Sequence, residues 1–249
     1  MEVLGVIVAR GGSKGIPKKN IALCAGKPLI WYTIDAAKKS KHITRLIIST
    51  DDEAIAAIAR EHGVEVPFMR PKELAEDGTP DLPVFQHALR KLEEKEGYFP
   101  DAVVHLRPTT PLKSADDIDK GVQLLIDTPE AHSVRSVCEP LHTPFKMYKL
   151  DEGETMLKPL LTGAYPGVFE TYAEPYNMPR QILPKVWRHS GYVDIVRPTV
   201  ILDMNSMSGS QILPLFFEEW RDIDIDYEND LKYAEIVIEQ RQKQGGSIN

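Results

Sequence analysis

The chain has 249 residues, and its 37 acidic against 30 basic side chains leave a formal net charge of −7. At roughly 100–200 residues per domain this is one large domain, or one domain with a sub-domain. Hydrophobic residues at 42% and charged residues at 27% are ordinary for a globular protein, and the acidic balance argues against a general nucleic-acid binder. No apolar run approaches the roughly 20 residues of a membrane span. The opening MEVLGVIVARGG has no basic lead, and its apolar run is too short for a signal peptide. Cys24 and Cys138 show no CxxC spacing, which points to reduced thiols in a cytoplasmic protein.

Val3 to Ala9 is a short β-branched run, as for a buried parallel strand. Leu29 to Lys39 carries Ile30, Thr33, Ile34 and Ala37 at helical spacing. Leu46 to Thr50 reads as a strand, Glu53 to His62 as an alanine-rich helix stopped by Gly63, and Val64 to Phe68 as a third strand. Asp81 to Glu96 is a helix with Val84, Ala88, Leu89 and Leu92 on one face, ended by Gly97. Ala102 to Leu106 is a strand halted at Arg107-Pro108, Ala115 to Ile126 a helix, and His132 to Cys138 a fifth strand. This alternation predicts an α/β fold: a mostly parallel sheet with helices on both faces.

The alternation stops near Glu139. From Pro140 to Arg188 the chain carries seven prolines, many aromatics and no sustained period. A structureless loop of that length is foreign to a compact domain. The segment is expected to be an excursion: a β-rich arm that packs on another chain, with a long surface lid as the alternative. Phe145, Tyr148, Phe169, Tyr172 and Trp187 give it apolar area to bury. Strand character resumes over Gly191 to Val196, Ile212 to Phe216 and Ile223 to Ile225. Asp230 to Gln242 is the last helix, and GGSIN reads as a frayed tail. The expected organisation is a single domain over residues 1–249 with an inserted arm over 140–188.

The segment ARGGSKGIPKKN, Ala9 to Asn20, directly follows the first strand. Its glycines allow a tight turn and bring backbone N–H groups close to a ligand. Arg10, Lys14, Lys18 and Lys19 add four cations. Such a loop at the carboxyl end of a strand suits a polyphosphate. It is not a Walker A loop, because Lys14 precedes Gly15, and Pro17 disfavours the dinucleotide fingerprint.

A second signal lies near the other end. Asp222, Asp224 and Asp226 alternate with Ile223 and Ile225, so an extended chain puts the carboxylates on one face and the isoleucines on the other. Like charges this close raise one another's pKa unless a cation lies between them. A hard divalent ion, Mg²⁺ or Mn²⁺, shared with substrate phosphates is the natural partner. Asp226 could alternatively cap the helix that follows. Together, a cationic loop and clustered aspartates are what nucleotidyl or phosphoryl transfer requires, since that chemistry is mostly positioning and charge neutralisation.

These motifs resemble those of the acylneuraminate cytidylyltransferase family, the CMP-sialic acid synthetases and their relatives. ARGGSKGIPKKN, STDD (Ser49 to Asp52), RPKELAEDGTPD (Arg70 to Asp81), LRPTTPL (Leu106 to Leu112) and DIDYENDLKYAE (Asp224 to Glu235) follow in the family's order. HTPFKM, ending at Met147, and MPRQILPKVWR, ending at Arg188, resemble its arm segments. The resemblance implies a Rossmann-like nucleotidyltransferase fold with a protruding dimerisation arm, and a homodimer with shared active sites. It implies attack of the anomeric hydroxyl of a 2-keto sugar acid on the α-phosphorus of CTP, releasing pyrophosphate. Carried over by position, Arg10 and Lys19 resemble the residues holding the triphosphate, with Ser13, Lys14 and Asn20 beside them, and Ala9, Gly11 and Gly12 complete the nucleotide-binding loop. Arg70, Thr79 and Asp81 approach the cytosine and ribose. Asp224 and Asp226 match the metal ligands, so Arg10, Lys19 and Asp224 carry the catalytic expectation. Arg107, Thr109, Gln181, Ser190 and Asp194 fall in the sugar-acid region. Lys146 and Arg180 match basic residues that contact the sugar carboxylate from the other subunit.

The chain departs from that pattern at three charged positions. Arg107 stands where many sialic-acid members carry Gln, Asp194 where a Tyr is usual, and Asp81 where some carry a small hydroxyl residue. Arg107 and Asp194 are expected to help select the acceptor, with a pair between them as the alternative. Arg107 also keeps open a second reading, a nucleotidyltransferase for a sugar 1-phosphate or a phosphonate. A nucleotide-binding regulatory module is disfavoured, because a pure binder does not need the aspartates.

Overall fold

The computed structural model describes residues 1–161 and 166–243, with the side chains of Pro166 and Phe169 left aside. The GGSIN tail and the Phe169 ring lie outside the described residues. Six strands form one sheet: β1 (Val3–Val8), β2 (Arg45–Ser49), β3 (Ala102–Leu106), β4 (Ser133–Cys138), β5 (Arg188–Val196) and β6 (Ile212–Phe216). Their order is β6-β4-β5-β3-β1-β2. β1 runs parallel to β2 and β3, and β6 runs parallel to β4, while β5 is antiparallel to β3. The principal helices are α1 (Leu29–Lys39), α2 (Glu53–Glu61), α3 (Asp81–Glu96), α4 (Ala115–Asp127) and α5 (Glu228–Lys243).

Strand alternation sorts the core into two faces. Ala102, Val104 and Leu106 pack in the cluster that holds Ile30 and Ile34 of α1, Ile55 of α2 and Ile118 of α4. Val103 points the other way, among Phe85, Ala88, Leu89 and Leu92 of α3. Asp52 caps α2 through bonds from Ala54 and Ile55, and Ser114 caps α4 through a bond from Asp117. Gly97 ends α3 in the left-handed conformation, φ 62°.

Two expected strands do not form. Val64 to Phe68 makes a single parallel bridge, Ile47 with Glu65, because Pro67 brings no N–H to extend the ladder. Ile223 to Ile225 pairs in no sheet; Ile225 N donates to Thr109 O at 2.8 Å instead. The alternation survives without a ladder: Ile223 and Ile225 are buried with Leu29, Tyr32 and Ala234, and Asp224 and Asp226 are exposed.

The chain divides into two compact units, Met1–Val137 with His189–Asn249, and Cys138–Arg188. The second unit contains the expected excursion but is not β-rich. Its own ladder is the two-residue pairing of Tyr148–Lys149 with Lys158–Pro159. One-turn 3₁₀ segments at Pro144–Lys146, Pro175–Asn177 and Arg180–Ile182 dominate it. Prolines start the first two and precede the third, fixing φ where a ladder would need N–H donors.

The central strands carry a buried ionic network. Val6, His105 and Asp194 are in register across β1, β3 and β5. Asp194 is 2% exposed. Its Oδ2 accepts from Arg107 at 2.9 Å and Arg135 at 2.7 Å, and His189 Nε2 lies 2.9 Å from both its oxygens. Arg107 also donates to Gly191 O at 3.1 Å and to Asp81 Oδ2 at 3.0 Å. Gly191 sits at φ +69°, with room for no side chain beside the guanidinium. Arg107 and Asp194 therefore pair, the alternative the sequence left open.

Burial alone raises the Asp194 carboxyl; the His189 hydrogen bond and the Arg107 and Arg135 charges outweigh it and hold the group far below the usual carboxylate range. A carboxyl whose folded pKa is depressed stabilises the fold above its unfolded value, about 3.9, and that contribution fades as pH falls below it. Asp194→Asn is expected to cost about 3–5 kcal/mol at pH 7, because Arg107 and Arg135 keep buried charge without a counter-ion. Denaturant titrations should show this penalty constant above about pH 5 and shrinking progressively as pH falls below about 4; a penalty that does not change with pH would show that Asp194 is not held ionised.

Candidate functional site

The glycine loop leaves the carboxyl end of β1 and folds over the sheet. Asn20 is buried and its Nδ2 donates to Arg10 O at 2.9 Å, bracing the loop from within. Gly11 N donates to Asp51 Oδ1 at 2.9 Å, so the STDD segment after β2 holds the loop's first turn. Gly15 passes so close to the Asp226 carbonyl that a Cβ would lie 2.1 Å from its oxygen. Only glycine fits there. Gly12, by contrast, has open space beside it.

The loop forms one wall of a cavity of about 830 Å³. Arg10, Ser13, Lys14, Lys19, Asn20, Arg70, Thr79, Asp81, Arg107, Thr109 and Asp226 line it. Those residues come from the loop, the segment before α3, the turn after β3 and the segment before α5. Ala9, Gly11, Gly12, Asp224, Ser190 and Asp194 are not in the lining. Ser190 is buried and its hydroxyl lies 3.1 Å from that of Ser136, inside the β4–β5 pairing. Asp194 lies behind Arg107 and holds it. Lys146, Arg180 and Gln181 belong to the second unit. There Arg180 donates to Glu139 at 2.8 Å, to Leu141 O at 3.2 Å and to Pro140 O at 3.0 Å. Arg180 and Gln181 line a smaller cavity of about 290 Å³ within that unit. Lys146 is exposed.

Carboxylates of the chain itself hold three of the cations. Asp77 pairs with Arg10 at 2.8 Å and with Lys14 at 2.7 Å. Lys19 Nζ donates to Ile225 O at 2.6 Å and to Asp226 Oδ1 at 2.9 Å. The two Asp77 pairs, exposed or half-exposed, are weak, so a polyphosphate of higher charge can displace them. Asp226 does not cap α5: Asp230 Oδ2 accepts from Asp226 N at 3.0 Å and Tyr227 N at 2.8 Å. Arg70 is buried and donates to the Ser49 hydroxyl at 3.1 Å and to the Ser49 carbonyl. Burial lowers its pKa to about 10 against the opposing charges of Asp51 and Asp81, so it remains a cation at neutral pH.

Three residues here had no sequence signal strong enough to place them. Asp77 sits in the unremarkable acidic run ELAED. Lys113 is fully buried, and its ammonium donates to Arg107 O at 2.7 Å, Thr110 Oγ1 at 2.8 Å, Thr33 Oγ1 at 3.1 Å and the Thr110 carbonyl. It fixes the turn that carries Arg107 and Thr109. His105, a polar residue within the apolar strand AVVHL, lines the cavity; the break in the apolar run was the signal.

Among the described residues no group of three or more His, Cys, Asp or Glu is arranged to hold a metal ion. None of their helices is long and apolar enough to cross a membrane.

A protein-family model described as Cytidylyltransferase matches residues 4–165. Post-translational flagellin modification protein B of Campylobacter coli is 31% identical over 246 residues, 98% of this chain and 97% of that protein. The CMP-N,N'-diacetyllegionaminic acid synthase of Legionella pneumophila is 30% identical over 244 residues, 98% of this chain and 99% of that enzyme. In fold, the chain is similar to CMP:2-keto-3-deoxy-manno-octonic acid synthetase complexed with CTP, at a TM-score of 0.69 and 15% identity over 97% of this chain and all of the other. A sheet of this order, a glycine loop at the end of its first strand and full-length sequence similarity agree: the chain belongs to the cytidylyltransferase family that its motifs resemble.

Proposed function

We propose that this chain transfers CMP from CTP to the anomeric hydroxyl of a sialic-acid-like 2-keto sugar acid and releases pyrophosphate. The observation that carries this reading is the one cavity that Arg10, Lys14, Lys19, Arg107 and Thr109 all line, in a chain similar end to end to a CMP-sugar-acid synthase. The loop cations bind the triphosphate and offset charge that develops on the leaving pyrophosphate. Arg70, Thr79 and Asp81 line the part assigned to the nucleoside. The alternative acceptor, a sugar phosphate, relied on an unpaired Arg107. That guanidinium is shared between Asp81 and Asp194, which removes the argument for a more anionic acceptor. Cys24 and Cys138 are both buried thiols, which supports a cytoplasmic location.

The reading is tested by pyrophosphate release across the four nucleoside triphosphates, each with a panel of 2-keto sugar acids and sugar phosphates. Release with CTP and a sugar acid is expected. Turnover confined to sugar phosphates, or to another nucleotide, would overturn it.

Asp226 lines the cavity beside Lys19 and Asp224 is exposed two residues before it. Two carboxylates with no complete protein cage fit Mg²⁺, which keeps waters and shares substrate phosphates. Asp224 and Asp226 would hold it, and its chemistry there is neutralisation of phosphate charge. Asp224→Asn and Asp226→Asn are each expected to lower the rate on the order of 10²-fold or more, and EDTA should abolish turnover. Full turnover in EDTA would dismiss the metal.

The second unit exposes Leu141, Met156 and Leu157, at 77%, 75% and 62%. Exposed apolar area of this kind favours burial against another molecule, here a second copy of the chain in a two-fold dimer. Lys146 and Arg180 would then serve the partner's sugar carboxylate. Mixing Asp224→Asn with Arg180→Ala under subunit exchange is expected to restore activity, because one of the two sites receives both intact halves. No recovery after demonstrated exchange would leave the arm as a lid over its own chain.

A further inference from the structure

His105 is the most deeply buried polar group at the cavity. It is 1% exposed and lies in the middle of β3, with Val6 and Asp194 as its register partners. Neither ring nitrogen has a hydrogen-bond partner. Phe85 of α3 packs edge-on against the ring, with centroids 4.6 Å apart and planes at 61°. Leaving a buried imidazole unpaired on a central strand is costly, and unpaired buried groups of this kind are uncommon. The charged groups around it are Asp81 at the start of α3, Arg107 two residues on, Asp194 on the adjacent β5, and Arg135 on β4 beyond it.

Asp81 offers an acceptor just out of reach. Its Oδ2 lies 3.8 Å from His105 Nδ1, beyond a hydrogen bond by less than 1 Å. The same oxygen already accepts from Arg107 at 3.0 Å. Asp81 also lines the cavity, and its side chain is 42% exposed. The Asp81 carboxyl is held below its usual value despite its burial, with the Arg107 guanidinium bonded to it, so it is ionised and accepts only. Burial, reinforced by Arg107, pushes His105 down to about 3, so the ring is neutral and carries one N–H. A carboxylate in front of Nδ1 selects the tautomer with that proton on Nδ1.

We infer that Asp81 is an acceptor for a substrate hydroxyl and that His105 is its positioning residue, closing onto the carboxylate from behind when the cavity is filled. This rests on the function proposed above but concerns which substrate group the site reads. An ionised carboxylate repels phosphate and carboxylate and accepts from hydroxyl. Arg107 and the closing His105 N–H both address Oδ2 of Asp81, which leaves Oδ1 for the substrate hydroxyl. The hydroxyl has two sources within that reading: the ribose of the nucleotide, or a ring or side-chain hydroxyl of the acceptor.

The test compares wild type with His105→Leu, which fills the same apolar space without a donor, His105→Gln, which keeps one, and Asp81→Asn. Calorimetry with CTP and 2′-deoxy-CTP reads the ribose arm and requires no turnover. KM for the acceptor, set against kcat, reads the other arm. A ribose partner predicts that wild type prefers CTP by roughly tenfold and that His105→Leu and Asp81→Asn both erase the preference. An acceptor partner predicts unchanged nucleotide discrimination and an acceptor KM raised roughly tenfold with kcat less affected. In either case His105→Gln should recover part of the loss. If neither nucleotide discrimination nor acceptor KM moves in folded His105→Leu, or if His105→Gln is no better than His105→Leu, the assignment is overturned. Should wild type turn over no sugar acid, the function proposed above fails by itself, and the calorimetric arm alone decides this inference: an unchanged CTP preference then overturns it.

Discussion

Lys19 joins the two ends of the working surface. Its ammonium donates to the carbonyl of Ile225 and the carboxylate of Asp226, 206 and 207 positions later in the chain. Gly15 lies against the same segment, with the Asp226 carbonyl where a side chain would otherwise be. The glycine loop and the acidic segment therefore take their conformations from each other. The acidic segment is fixed from its other side by Ile223 and Ile225, which are buried beside α1 and α5, and by the Ile225 bond to Thr109. A cavity wall built this way places cations and carboxylates side by side, which is possible only because backbone and apolar contacts hold the segments independently of the charges.

A second constraint sits under the cavity floor. Arg107 enters as the residue after β3, and its charge is divided between Asp81 and Asp194. Lys113 secures the turn beneath it through the Arg107 and Thr110 carbonyls. The antiparallel β5 makes this arrangement possible, since it brings Asp194 alongside His105. With Arg135 and His189 also on Asp194, the network mounts a guanidinium that lines the cavity. It reads as a positional device more than as a source of net charge, because two carboxylates share the Arg107 charge.

The secondary structure was legible where periodicity was long and its breakers clear. α1, α3 and β3 appear with the bounds that spacing, Gly97 and Arg107-Pro108 imply. Val64 to Phe68 looked like a strand because Val64, Val66 and Phe68 are apolar, but Pro67 cannot extend a ladder, and composition did not weigh one missing donor. Ile223 to Ile225 alternated like a strand because alternation reports burial on one side; whether a neighbouring strand is there to pair with is a tertiary fact. The segment over 140–188 was recognised as different, yet its aromatics suggested strands where its prolines impose turns.

The sequence by itself determined the chemistry available: four cations in a glycine loop, aspartates alternating with isoleucines, and an α/β alternation that puts such a loop at a strand end. Local spacing is enough for these, because each depends on residues within a dozen positions of one another. Only the tertiary structure decided which charges remain available. It spent Asp194 on Arg107 and Arg135, closed Ser190 inside the sheet, set Asp77 between Arg10 and Lys14, and left His105 unpaired behind Asp81. Those outcomes depend on distances between residues far apart in the chain, and the energy of a charge is set by its nearest neighbours and its burial, neither of which is written in its local sequence.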